Sequence, residues 1–361
     1  MDAYIFLLFI IYIAYLLTKF GGLSLKEANN KFLAISFIVI YTFCALRDYS
    51  VGRDILGYIK TYERAGDFPF MDTTWTYMES GYVAFMQLCS SLGLSNRMYL
   101  CIVYALMIFP IYRTIKTYSK DPLLSVIIFV CFQFLTFDLS GIRQGLAMSF
   151  CLISFEYAKL QNKKDFIYFS CLMLLSYLFH RSSLIFIFIP LVLRFKLNVK
   201  SIIIFIVAVL VAPILTRPLI LLNSNNELSS YSFDDRLKMG GMLVFLFLIL
   251  LFMIYSSIKN RRYILNNENI FYNIEQYTLI LMVGIFFSLV FNGTMFGRAT
   301  MYYTIFIIYA VPNAIKQYKT SSQTIFTMIF HLVMLVFFYL FCLTPQMLDT
   351  VPYKLGTDLP F

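Results

Sequence analysis

The sequence predicts an all-α, polytopic membrane protein that crosses the bilayer about twelve times and forms a single domain over residues 1–361. Hydrophobic residues make up 60% of the 361 residues and charged residues only 13%, and the mean hydropathy is +0.77. A soluble domain has a smaller apolar share and could not bury this much apolar surface in one core. We therefore expect membrane lipid to surround the protein.

The apolar residues form runs that are separated by short polar loops. The first run, Tyr4 to Leu17, follows an acidic residue and precedes a lysine-containing loop instead of a cleavage site, which predicts a transmembrane helix and not a signal peptide. The other predicted spans lie at about residues 32–46, 98–112, 122–137, 142–158, 166–179, 183–193, 201–222, 241–258, 276–291, 299–315 and 324–343. Several runs are short for a bilayer core about 30 Å thick, so we expect some helices to be buried among their neighbours.

Basic residues are distributed differently in alternate loops. In one set of loops few acids accompany the basic residues, which are Lys19, Lys26, Lys31, Arg113, Lys116, Lys120, Lys159, Lys163, Lys164, Arg194, Lys196, Lys200, Lys259, Arg261, Arg262, Lys316 and Lys319. In the alternate loops acids nearly balance them. The positive-inside rule places the first set in the cytoplasm, so both termini face outward. The net charge of +10 forms no basic domain, which argues against nucleic-acid binding.

The longest polar interval, residues 47–97, is predicted to lie on the outer face after the second span. Its segment 78–93 has the pattern of an amphipathic helix in the membrane interface, with one helical face made by Tyr82, Phe85, Met86 and Cys89. A second outer loop is predicted over residues 223–240 and an outer tail over residues 344–361.

Arginine dominates the cations of the outer loops. Nine of the twelve are arginine, whose planar fork binds phosphate or carboxylate with two parallel hydrogen bonds. The helices that run inward each begin near one of Arg97, Arg143, Arg181, Arg236 and Arg298. Because a helix N-terminus is itself positive, these arginines need an anionic ligand or an acidic partner. The alternative interpretation pairs them with local acids such as Asp138, Asp234 and Asp235, or with lipid phosphates.

The case for an anion is strongest in the segment 137–150, FDLSGIRQGLAMSF. Asp138, Ser140 and Gly141 are predicted to form a capping turn, which leaves Arg143 and Gln144 in the first turn of the next helix beside free backbone N–H groups. This arrangement suits an anionic ligand.

His180 and Arg181 are predicted at the outer end of the following hairpin, where they would meet Arg143 without a long loop. His180 is the best candidate proton acceptor, and a hydrogen-bonded interface histidine is the alternative. His331 lies within the last span and is interpreted as structural. The seven cysteines lie mostly in apolar runs and no histidine and carboxylate cluster occurs, so we expect no metal and no cofactor.

Five segments carry a family resemblance. RDYSVGRDILGY (47–58), MESGY (78–82), SGIRQGLA (140–147), FHRSSLIF (179–186) and GRATMYY (297–303) resemble, in this order, the blocks of the EpsG-like, Wzy-type polysaccharide polymerases. The resemblance spans about residues 40 to 315. The chain departs from the family pattern at Arg53 and Arg181, where a small residue is common.

The resemblance implies a GT-C-like glycosyltransferase of O-antigen, capsule or exopolysaccharide synthesis in the bacterial inner membrane. Such enzymes join oligosaccharide units carried on undecaprenyl pyrophosphate at the periplasmic face, and a chain-length regulator is an implied partner. Pyrophosphate binding is then expected of Arg143, Arg298 and Arg236, with Arg181 and Gln144 beside them. His180 is the expected base and Asp138 the second choice. The expected sugar path comprises Arg47, Asp48, Asp54, Tyr58, Glu79, Tyr231 and Asp234.

Three alternatives remain open at this point. An O-antigen ligase performs a similar transfer onto a lipid A core. A lipid-linked oligosaccharide flippase or transporter would need an ion or proton relay within the spans, for which Glu156 is the only candidate acid, and no internal repeat is visible. A noncatalytic scaffold for a polysaccharide assembly complex is the third.

Overall fold

The computed structural model describes residues 2–222, 233–259, 273–290, 300–343 and 348–357, and only the backbone at residues 213, 215–222 and 233–240. Within these ranges the protein is helical and contains no β-strand, apart from one isolated bridge between Arg47 and Leu355. The all-α prediction is confirmed for the described part of the chain.

The helices are α1 (Asp2–Phe20), α2 (Leu25–Ala45), α3 (Ile55–Arg64), α4 (Ser80–Ser91), α5 (Asn96–Tyr118), α6 (Pro122–Cys131), α7 (Phe134–Asp138), α8 (Ile142–Ser154), α9 (Lys163–Phe179), α10 (Ile189–Val192), α11 (Val199–Leu222), α12 (Phe233–Lys259), α13 (Ile274–Val290), α14 (Met301–Thr304), α15 (Ile307–Ile315) and α16 (Thr320–Phe337). A 3₁₀ helix, Arg181–Phe188, leads into α10, and a π-helical turn, Phe338–Cys342, extends α16.

Five of the described helices are long and apolar enough to cross a membrane: Asp2–Phe20, Leu25–Ala45, Asn96–Tyr118, Gly241–Lys259 and Thr320–Cys342. Shorter apolar helices lie at Pro122–Cys131, Arg181–Val192, Val199–Ala212, Ile274–Val290 and Met301–Ile315. The protein is therefore a helical membrane protein. The count of twelve spans stays a prediction.

Polar residues at helix starts explain where several of these helices begin. Ser24 and Glu27 form a reciprocal capping box at α2. Ser95 accepts from the Met98 backbone N–H at α5, and Asn162 accepts from the Asp165 N–H at α9.

The segment predicted as one span over residues 122–137 is not one continuous helix. The helix breaks after Cys131 and resumes at Phe134, because Gln133 adopts a left-handed backbone conformation with φ 66°. No glycine or proline marks this break, so the sequence gives no signal for it.

Polar contacts define one end of the helix bundle. Arg113 on α5 forms a two-pronged ion pair with Glu156, with N–O distances of 2.5 and 2.9 Å. Tyr118 also donates to Glu156, and Lys316 pairs with Asp121 at 3.4 Å. These cations belong to the set that the positive-inside rule places in the cytoplasm.

The opposite end is closed by the loop after α2 and the C-terminal tail. Asp48 N–H donates to the Lys354 carbonyl at 2.9 Å, and Gly356 N–H to the Leu46 carbonyl at 2.8 Å. The Tyr4 hydroxyl donates to the Thr350 carbonyl at 2.9 Å. The start of α1, residues 46–48 and the tail therefore lie at the same end, and the side of the membrane that they face stays a prediction.

The amphipathic segment of the outer loop forms α4. Its Tyr82, Met86 and Cys89 are buried, while Phe85 is half-buried between Tyr99 and Phe179 with ring centroids 5.9 and 5.8 Å away. The predicted face is therefore real, and it packs on α5 and α9.

Gly52 fixes the close contact of this loop with the turn before α8. Its φ is +102°, and a Cβ added there would lie 2.1 Å from the Leu139 carbonyl oxygen. We expect Gly52→Ala to lower membrane abundance and melting temperature strongly, because it combines a clash with backbone strain. Gly57→Ala is the matched control, since Gly57 lies in α3 with nothing within 4 Å. A Gly52→Ala protein as stable as the control would contradict this account.

Candidate functional site

Side chains from the separate sequence blocks converge at the end of the bundle that carries the tail and the outer loop. The cluster contains Tyr58 from α3, Glu79 at the N-cap of α4, Arg143 in the first turn of α8, His180 after α9 and Tyr302 on α14. We call these five residues the outer cluster.

Arg143 is the centre of the outer cluster. Its Nη1 lies 2.5 Å from Glu79 Oε2, and its Nε donates to the Tyr58 hydroxyl at 3.3 Å. The guanidinium also lies over the rings of Tyr58 and Tyr77, 5.6 and 5.2 Å from their centroids. Each side chain of the ion pair keeps 10% of its surface exposed. Arg143 is thus preorganised by a carboxylate and two aromatic rings in a poorly hydrated site.

Tyr58 is a neutral partner of this arginine. Burial raises the pKa of Tyr58 to about 12, against the opposing effect of the nearby Arg143 charge. Its hydroxyl therefore stays protonated at physiological pH and accepts from Arg143 without adding charge.

Glu79 links three elements. Its Oε2 binds Arg143, and its Oε1 accepts from the Arg181 backbone N–H at 3.1 Å. The same oxygen lies 4.0 Å from His180 Nδ1, which is too long for a hydrogen bond. Glu79 thereby holds the start of α8 and the start of the 3₁₀ helix in one place.

His180 caps the 3₁₀ helix Arg181–Phe188. Its Nδ1 accepts from the Ser182 backbone N–H at 3.3 Å and lies 2.9 Å from the Ser182 hydroxyl. That hydroxyl lies 3.2 Å from the Tyr302 hydroxyl. A hydrogen-bonded chain therefore connects His180 to Tyr302.

Contacts with α5 and α9 hold α8, the helix that carries Arg143 of the outer cluster, in place. Met107 on α5 lies where a Cβ at Gly145 would be, and the Ser149 hydroxyl donates to the Met107 carbonyl at 2.9 Å. The Ser176 hydroxyl donates to the Ala147 carbonyl at 2.8 Å. The helices therefore approach closely at Gly145, and these contacts fix α8 against both neighbours.

The profile of the EpsG family matches residues 30–355 of the chain. The chain belongs to the EpsG family. EpsG-family proteins are similar to Wzy-type polymerases, as the order of the five sequence blocks indicated. No curated protein and no solved structure matches the chain significantly.

In this EpsG-family protein, the turn predicted from Asp138, Ser140 and Gly141 does precede α8 and leaves Arg143 in its first turn, but neither Asp138 nor Ser140 caps the helix with its side chain. The N-cap is Gly141, and it makes no side-chain cap hydrogen bond. Asp138 ends α7, is 1% exposed and has neither carboxyl oxygen hydrogen-bonded within the described part of the chain. A base must reach the substrate, so the buried carboxyl of Asp138 is a poor candidate for that role.

Arg47, predicted on the sugar path, is instead a structural residue of the loop. It is fully buried and donates to three backbone carbonyls, those of Cys44, Val51 and Leu139, at 2.6 to 2.9 Å. Arg97 does the same with the Ala45 and Arg47 carbonyls, both at 2.7 Å. The guanidinium N–H groups of Arg47 and Arg97 thus donate hydrogen bonds to backbone carbonyls that would otherwise be buried without a partner.

The other predicted residues fall into two groups. The first group is described: Asp48 accepts from Ser50 in the outer loop, which lowers the pKa of Asp48, and Asp54 is the N-cap residue of α3. Gln144 is buried next to Arg143. Arg181 contacts the outer cluster through its backbone N–H, while its side chain is exposed. Arg298 and Tyr231 lie outside the described residues, and Asp234 and Arg236 lie where only the backbone is described. No group of three or more potential metal ligands comes together in the described ranges.

Three residues of the site were not predicted from the sequence: Tyr77, Ser182 and Tyr302. All three lie within or beside the family blocks, at MESGY, FHRSSLIF and GRATMYY. Their position within or next to a family block is the sequence feature that could have identified them. A tyrosine or serine in an apolar, aromatic-rich chain does not stand out by composition.

Proposed function

We propose that this protein is a Wzy-type polysaccharide polymerase that joins repeat units carried on undecaprenyl pyrophosphate. The observation that carries the proposal is the outer cluster, in which segments far apart in sequence hold one arginine beside a helix N-terminus. Membership of the EpsG family supports the same reaction class. We place the reaction on the periplasmic face of the bacterial inner membrane, with the positive-inside rule as the support for that side.

Arg143 is the proposed pyrophosphate ligand. Its fork matches phosphate oxygens, and the first backbone N–H groups of α8 have no partner within the helix, so both favour an anion at this point. Charge develops on the pyrophosphate as the glycosyl bond breaks. One preorganised donor aimed at that charge is worth about 3 to 4 kcal/mol of barrier lowering.

The proposed reaction is a membrane-embedded, GT-C-like glycosyl transfer. A sugar hydroxyl of one lipid-linked unit attacks the anomeric carbon of the growing chain, and undecaprenyl pyrophosphate leaves. Arg298 and Arg236 are kept as proposed pyrophosphate ligands, and Asp54, Tyr231 and Asp234 as proposed sugar contacts. A chain-length regulator is the proposed protein partner.

A proton-coupled transporter is the alternative that the structure argues against. Glu156, the one acid suggested for a relay, is held by both prongs of Arg113 and by the Tyr118 hydroxyl. A relay acid must be open to proton exchange along the transport path, whereas both carboxylate oxygens of Glu156 are held by hydrogen bonds here.

Analysis of lipid-linked intermediates in cells separates the polymerase from its rivals. We expect cells that lack this chain to accumulate single repeat units on undecaprenyl pyrophosphate, exposed on the periplasmic face of the inner membrane. Loss of a ligase would leave long lipid-linked chains, and loss of a flippase would leave single units on the cytoplasmic face. If the protein were only a noncatalytic scaffold, an Arg143→Lys protein would restore polymer synthesis in cells that lack the chain. Any of these last three results would refute the polymerase proposal.

A further inference from the structure

The hydrogen bonds of His180 decide which ring nitrogen carries its proton. A backbone N–H only donates, so the bond from Ser182 N–H requires a lone pair on His180 Nδ1. The neutral ring therefore carries its proton on Nε2. In this state neither nitrogen of His180 is available to take a proton from a sugar hydroxyl, so His180 acts as a hydrogen-bond donor.

Glu79 is the carboxylate placed to take over the role of base. In the described part of the outer cluster it is the acid bound directly to Arg143, and a tenth of its side chain is exposed, as is a tenth of that of Arg143. A ligand that contacts Arg143 therefore also lies close to Glu79. While Arg143 holds it, however, Glu79 Oε2 is occupied by the guanidinium and is not open to the proton of a sugar hydroxyl.

We propose that Glu79 is the general base, and that the pyrophosphate of the substrate activates it by taking Arg143 away. This inference rests on the proposed function. The free protein neutralises Arg143 with Glu79; the bound substrate supplies a more highly charged anion that competes for the same fork. Glu79 then loses its ion-pair partner and keeps the Arg181 N–H bond that positions it.

The exchange gives a balanced transfer step. The hydroxyl oxygen forms a bond to the anomeric carbon, and its proton passes to Glu79 Oε2, the oxygen that Arg143 released. The bond from the anomeric carbon to the phosphate oxygen breaks with its electron pair, and undecaprenyl pyrophosphate leaves with the added negative charge. Arg143 stabilises that charge. The coupling makes the base available only when a donor is bound.

Separate measurements of binding and turnover test this inference. Purified full-length wild type and Glu79→Gln protein are given lipid-linked single repeat units from cells lacking the chain, and binding of undecaprenyl pyrophosphate is measured on each. Glutamine keeps a carbonyl for the Arg181 N–H but accepts no proton. We expect turnover to fall by about 10²- to 10⁴-fold. Binding should be unchanged or tighter, because the competing carboxylate is gone.

The controls separate a base from a structural anchor. Asp67→Asn removes an exposed acid of the same loop and should change neither quantity. If Glu79→Gln weakens binding and turnover in parallel, Glu79 only positions Arg143 and the inference is overturned. Wild-type turnover in Glu79→Gln overturns it as well. A wild-type protein that makes no polymer defeats the proposed function, and the inference with it.

Discussion

We expect Arg143→Lys to slow polymer formation by about 10²- to 10³-fold while the protein remains in the membrane at normal abundance. Lysine keeps the positive charge but cannot bind two phosphate oxygens through a planar fork or lie flat over Tyr58 and Tyr77. Loss of about 3 to 4 kcal/mol of charge stabilisation corresponds to a rate loss on the order of 10²- to 10³-fold. The measurement is the rate of chain lengthening by purified protein, with membrane abundance measured in parallel.

Arg53→Lys is the matched control for this change. Arg53 lies in the outer loop and pairs with Asp349 at 3.2 Å, with side-chain exposures of 38% and 52%. An exposed pair of this kind contributes at most about 1 kcal/mol, so its exchange should leave activity and abundance near the wild-type level. Equal activity of the Arg143→Lys and Arg53→Lys proteins would remove Arg143 from the pyrophosphate site.

Arg47→Ala should prevent stable folding. The change removes the donors of the Cys44, Val51 and Leu139 carbonyls, and each buried group left unpaired costs about 1 to 3 kcal/mol. It also removes the packing of the guanidinium on the Tyr104 ring, 4.8 Å from its centroid. The expected result is a large fall in membrane abundance and in the melting temperature in detergent.

Arg64→Ala provides the comparison for Arg47→Ala. Arg64 ends α3, is exposed and touches only the ring of Phe68 among its described contacts, 5.6 Å from the centroid. Its loss should cost no more than about 1 kcal/mol. If Arg47→Ala protein is as abundant and as heat-stable as Arg64→Ala protein, the structural role assigned to Arg47 is wrong.

Arg47 and Arg143 show what could and could not be predicted from the sequence. Both follow the same rule in the sequence, an arginine at the outer end of an apolar helix, and the sequence analysis gave both a place in the site. Only packing separates them: Arg47 is surrounded by backbone carbonyls of α2, of its own loop and of the turn before α8, whereas Arg143 faces a carboxylate and stays partly exposed. Hydrophobic periodicity predicts helices and burial, but not which polar groups a buried arginine will meet.

The outer cluster was predictable in part. A short hairpin predicted that His180 and Arg181 lie near Arg143, and the structure links them to Arg143 through Glu79. The family blocks pointed to Tyr58 and Glu79. The ion pair between Glu79 and Arg143 joins residues 64 positions apart, and no local pattern reveals it. The tautomer of His180 depended on a backbone N–H two residues later, which becomes a partner only once the chain turns into a 3₁₀ helix.

The most direct test of the account is polymerisation by the purified protein. Wild-type protein is given only undecaprenyl-pyrophosphate-linked repeat units, isolated from cells that lack the chain, and the product lengths are resolved on a gel. We expect a ladder of products that grows by one repeat unit per step. A wild-type protein that is folded and binds undecaprenyl pyrophosphate, but leaves the repeat units single, would contradict it.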